Sequence, residues 1–95
     1  MPSYLVESYL ARAAHAVELP ATTRRARAAA EAMCREGIAV SHVRSTFLPE
    51  DEVCLHLLEA PSLAAATELS TRAAIPCDRI VEAIERPDSK TKGNG

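Results

Sequence analysis

The segment Glu52–Pro61 reads Glu-Val-Cys-Leu-His-Leu-Leu-Glu-Ala-Pro and carries a thiol and an imidazole two residues apart. Imidazole nitrogen suits nickel, copper and zinc, and thiolate sulfur adds softness. In a strand the side chains alternate faces. Cys54 and His56 then share one side with Leu58, and Val53, Leu55 and Leu57 share the other. The all-aliphatic set is expected beneath a layer of helices and the mixed set on a bare face. Alternation and antiparallel pairing extend that bare face to His42 and Arg44 from the preceding segment, to Glu7 and Tyr9 from the first, and to Glu82 from the last. On this reading His42, His56, Cys54 and Glu7 are candidate ligands for a first-row divalent metal, and Tyr9, Arg44 and Glu82 line the same pocket. No HxxxH, CxxC or HxE spacing sharpens the assignment.

The same groups admit other roles. Cys54 can be a small buried hydrophobe, His56 a hydrogen-bonded histidine in a subunit interface, and Glu7 the partner of Arg44, since a carboxylate buried without a partner is costly. As acids and bases, Tyr9, His42, Glu7 and His56 could serve a cavity roofed by the bare face. A closed apolar cavity lined by Tyr9 and His42 would be its sign. A Cys54–His56 nucleophile pair looks poor, because positions i and i+2 on one strand do not naturally aim sulfur at an imidazole nitrogen. No serine elbow, phosphate loop or cofactor fingerprint is present.

Four strands and two helices must position these groups. Ser3–Tyr9 alternates as a strand. Leu10–Ala21 reads as a connection with partial helix that Pro20 interrupts, and Thr22 or Thr23 caps a helix running to about Glu36, with Gly37 in the left-handed position after it. Arg24, Arg25 and Arg27 in its first turns read as solvated surface. Ile38–Leu48 is a second strand, with Val43, Ser45 and Phe47 on one face and His42, Arg44 and Thr46 on the other. Pro49-Glu50-Asp51 joins it to the central strand as a hairpin. Ser62 caps a second helix that Ile75-Pro76 ends, and Asp78–Glu85 is the fourth strand. The order strand, helix, strand, strand, helix, strand predicts an α+β, ferredoxin-like fold: a four-stranded antiparallel sheet with both helices on one face. A bare sheet face in so small a domain is commonly covered by a second copy, so a two-fold homodimer is expected.

With 95 residues, the chain makes one domain over 1–86, and the polar segment 87–95 is expected to be a disordered tail. A net charge of −2 and a pI near 5.9 give no electrostatic reason for a nucleic-acid partner. No apolar run is long enough to cross a bilayer and no secretion signal is evident, which implies a cytoplasmic protein. Cys34, Cys54 and Cys77 are odd in number and imply reduced thiols, with Cys34 and Cys77 read as packing residues.

Four stretches together resemble the DUF4242, nickel-binding-protein-like family of small actinobacterial proteins. They are Tyr4-Leu5-Val6-Glu7, Val43-Arg44-Ser45-Thr46-Phe47-Leu48-Pro49, Cys54-Leu55-His56-Leu57-Leu58-Glu59-Ala60-Pro61, and Ile75-Pro76-Cys77-Asp78-Arg79-Ile80-Val81-Glu82. Many members carry an aromatic residue where this chain has Leu55, Leu58 and Cys77. The resemblance implies a ferredoxin-like dimer that binds nickel and sequesters metal rather than catalysing a reaction. The alternative drawn from the residues is a dimeric α+β barrel enzyme, or a binding protein for a small organic ligand, that uses the open sheet face as its pocket.

Overall fold

Alanine and a few branched aliphatics form the interior, because the helices offer little else to bury. Ala26, Ala30 and Met33 of α1 (His15–Arg35) and Ala66 and Leu69 of α2 (Leu63–Arg72) meet Tyr4, Val6 and Leu58 of the sheet, all of them buried. The computed structural model describes residues 1–84. The predicted tail and the end of the expected fourth strand lie outside them. The remaining elements are β1 (Ser3–Tyr9), a single 3-10 turn (Arg12–Ala14) before α1, β2 (Ser41–Leu48), β3 (Val53–Glu59) and β4 (Arg79–Ala83). The four strands form one antiparallel sheet in the order β2-β3-β1-β4, consistent with a ferredoxin-like α+β fold.

Helix α1 is capped at Ala14 and not at Thr22 or Thr23, so it begins eight or nine residues earlier than the sequence suggests, and Pro20 lies inside it. As the sixth residue of α1, Pro20 removes the hydrogen bond to the Ala16 carbonyl and crowds that oxygen, a cost of about 3 kcal/mol that tertiary contacts offset. The Glu52 carboxylate accepts the Arg12 backbone N–H at 2.8 Å, and the His15 ring stacks on Phe47 with centroids 4.9 Å apart. Thr22 is a buried mid-helix residue rather than a cap. The early turns expose Val17 and carry no apolar stripe, so periodicity could not reveal them.

Both helices end in the same way. Gly37 (φ +93°) follows α1 and Ala74 (φ +56°) follows α2, each in the left-handed region. In each, the next N–H reaches back to close the last turn: Ile38 to the Met33 carbonyl and Ile75 to the Ser70 carbonyl. Arg25 is not plain surface. Its Nε donates to the Ala73 carbonyl at 2.8 Å and its Nη2 to that of Ala74 at 3.4 Å, which binds the middle of α1 to the end of α2.

The sheet register overturns the expected choice of faces. Cys54 lies opposite Ser8, His56 opposite Val6, and Leu58 opposite Tyr4. Val6, Tyr4 and Leu58 belong to the core with the helices, so Cys54 and His56 point beneath them. Val53, Leu55 and Leu57, with Leu5 and Val81, turn to the uncovered side. Counting apolar residues on β3 favoured the wrong face. A helix layer made largely of alanine is satisfied by Tyr4, Val6 and Leu58, and leaves Cys54 and His56 to be met by hydrogen bonds. A second departure is a β-bulge between His42 and Arg44, where Val43 is the extra residue. A bulge moves residues on its two sides out of a common alternation. His42 therefore faces the helices opposite Leu58, whereas Arg44 faces the open side opposite Leu57.

Candidate functional site

Three of the seven predicted site residues come together, beneath α1. His42, on the far side of the bulge, and Ser45, opposite His56, reach the same space as Cys54 and His56 on β3. Ser45 Oγ lies 2.8 Å from His56 Nδ1 and 2.9 Å from His42 Nε2. His56 Nε2 in turn lies 3.4 Å from Cys54 Sγ. The result is a continuous row, Cys54–His56–Ser45–His42, that crosses under the helix. Position i to i+2 does bring sulfur to imidazole here, contrary to expectation, because both side chains enter the same buried space. Ser45 gave no signal in the sequence, since it becomes notable only once β2 and β3 are in register.

Burial shapes the electrostatics of the row. His56 is 1% exposed, and loss of solvent, with the nearby His42 ring, pulls its pKa down to about 4. The His42 imidazole is also held below the usual range by burial and by Arg27. Burial pushes the Cys54 thiol up. At neutral pH both rings are uncharged and the sulfur is a thiol. Among the described residues, the buried His42 Nδ1 atom has no hydrogen-bond partner.

Cys54 and His56 form part of the wall of a cavity of about 340 Å³ between the sheet and α1, with Glu18, Leu19, Thr22 and Arg25 on the helix side. Ser8 and Tyr9 of β1 and Ala74 and Pro76 after α2 complete most of the lining. Tyr9 lines this cavity, but His42 lines a separate groove on the β2 side of α1, with Arg27, Ala30 and Cys34. The expected cavity with Tyr9 and His42 together is thus not the one that these residues form.

The other candidates sit elsewhere. Glu7 is on the open face opposite Leu55 and pairs with Arg79 at 3.7 Å. Arg44 shares that open side. Glu82 lies opposite Tyr4 on the edge strand β4 and is exposed. Cys34 and Cys77 are exposed rather than packed, although Cys34 Sγ donates to the Val40 carbonyl at 3.3 Å. Among the described residues, no group of three or more His, Cys, Asp or Glu is arranged to hold a metal ion. The four-donor set His42, His56, Cys54 and Glu7 does not fit a resident nickel ion. Glu7 is across the sheet, and one nitrogen of each histidine is committed to Ser45.

Comparison with known proteins adds no relative. No family model, no curated protein and no solved structure matches the chain. Within the described residues, no helix is long and apolar enough to cross a membrane.

Proposed function

We propose that the chain is a small-molecule-binding protein whose ligand site is the cavity beneath α1, and that two copies associate through their open sheet faces. The observation that carries the ligand reading is the cavity itself. Its volume of about 340 Å³ falls at the lower end of the range for small-molecule pockets. It has mixed lining, with hydroxyls from Ser8 and Thr22, the Cys54 thiol, a neutral His56 ring and the charges of Glu18 and Arg25. A few polar groups converging on a preformed concavity are what orient a small organic ligand. The site is the helix side of the sheet, and the open face is left for association. That face carries the half-buried side chains of Leu5, Val53, Leu55 and Val81 across three strands, an apolar surface that a second copy would remove from water.

The test is a screen of small carboxylic acids and cyclic carbonyl compounds by amide shift perturbation. Binders are expected to move Ser8, Thr22 and His56 together, and Leu19→Trp, which fills the cavity, is expected to abolish the effect. Hits that move only open-face residues, or that survive the plugged variant, would refute the site. The nickel reading implied by the family resemblance is the rival proposal, and calorimetric titration with nickel chloride separates the two. Given how the donors are divided, we expect no binding tighter than roughly 100 μM (about −5.5 kcal/mol).

A further inference from the structure

The geometry points to Cys54 as a nucleophile for small soft electrophiles in the cavity, with His56, Ser45 and His42 as the relay that takes up its proton. This rests on the reading of the cavity as a ligand site and adds the chemistry performed there. The relay follows from the three contacts. In one polarity the Cys54 S–H donates to His56 Nε2, His56 Nδ1–H donates to Ser45 Oγ, and the Ser45 O–H donates to His42 Nε2. Shifting every proton one place leaves a thiolate at Cys54, a neutral His56 in its other tautomer, an intact serine and a cationic His42. The positive charge thereby bypasses the enclosed His56 ring, which is 1% exposed, and settles on the half-buried His42. A serine hydroxyl between two imidazoles serves this purpose because it accepts one proton as it gives up another.

The surroundings divide the labour. Cys54 and His56 reach the ligand cavity, while His42 borders the groove on the other side of α1. The charged groups lining the two spaces beside the row are Glu18 and Arg25 on the cavity side and Arg27, Glu31 and Arg35 along the groove, all from α1. The chemical class of substrate is an α,β-unsaturated carbonyl compound. As the relay draws off the thiol proton, the S–C bond forms at the β-carbon and the C=C electron pair moves to the carbonyl as an enolate. The α-carbon then takes a proton from His56 Nε2, and the relay returns to its first polarity with His42 neutral. Sulfur and carbon exchange no electrons with an outside oxidant, and nothing leaves.

The experiment uses the full chain and N-ethylmaleimide as probe, with the adduct located and timed at each cysteine by peptide mass spectrometry at pH 7. Buried and protonated, Cys54 on its own should react at least tenfold more slowly than exposed Cys34 and Cys77. The relay predicts that Cys54 reacts at least as fast as they do. Ser45→Ala and His42→Ala should each slow Cys54 alone by roughly a hundredfold, the lower end of the range for a lost acid–base group. Ser45→Thr, which keeps the hydroxyl, should restore the rate. Equal rates in wild type and Ser45→Ala, or loss in Ser45→Thr as well, would overturn the relay. If Cys54 does not react while the unreactive analogue N-ethylsuccinimide still perturbs Thr22 and His56, the nucleophile proposal falls and the ligand site stands. If neither compound acts there, both fall.

Discussion

Acid should destabilise this protein through one side chain above the others. His56 is neutral in the folded chain, with a pKa near 4, and titrates near 6.5 when unfolded. Below about pH 6.5 the unfolded chain therefore binds a proton that the folded chain refuses. The stability supplied by the neutral ring is fully present above that pH and is lost as the pH falls towards 4. Taking the two pKa values together, the loss between pH 7.5 and 4.5 is about 2.5 kcal/mol, a large part of the 5–15 kcal/mol that holds a domain together. His42, whose pKa is also lowered, adds to the loss with the same sign. The assay is urea unfolding from pH 4.5 to 7.5, followed by circular dichroism, for wild type and His56→Gln. The variant is less stable at neutral pH because Ser45 and Cys54 lose their partner. Its stability should nevertheless fall with acid by about 2 kcal/mol less than that of wild type. Parallel curves would refute the reasoning, as would a His56 ring titrating near 6.5 by NMR in the folded protein.

Other parts of the fold make equally specific demands. Gly37→Ala should cost about 1 kcal/mol and lower the Tm by roughly 4–8 °C, because φ is +93° while no atom within 4 Å would meet the added methyl. Conversely, Ala74→Gly relieves a left-handed alanine and should raise the Tm by a similar amount in calorimetry. Met33→Ala, at a fully buried position of α1, should destabilise by about 2–5 kcal/mol in denaturant titration. If copies associate through the open face, Leu55→Glu should yield monomers in analytical ultracentrifugation with an unchanged circular dichroism spectrum. Persistence of the dimer in that variant would place the interface elsewhere.

Strand order and helix number could be read from the chain because turn residues and capping residues mark their borders: Ser62 before α2, Gly37 after α1, Pro49-Glu50-Asp51 at the hairpin. The faces could not. Val53, Leu55 and Leu57 look more like core than Cys54 and His56, and only the register with Val6 and Ser8 reverses that judgement. The early start of α1 was hidden because contacts remote in sequence hold it, from Glu52 and Phe47. Cys54 and His56 were legible as chemically notable residues. Their link through Ser45 to His42 was not, since it depends on a single irregularity in β2.

That irregularity at Val43 makes the row depend on how residues are counted along β2 and not on which residue is the extra one. Deleting Val43 would make His42 and Arg44 neighbours in a regular strand, which keeps them on opposite faces, so the row would survive the loss. Drawing Val43 into the ladder opposite Leu58 would do the reverse. His42 would then turn to the side of Arg44, and Ser45 would be left with a single imidazole neighbour, although none of the four side chains of the row had been removed.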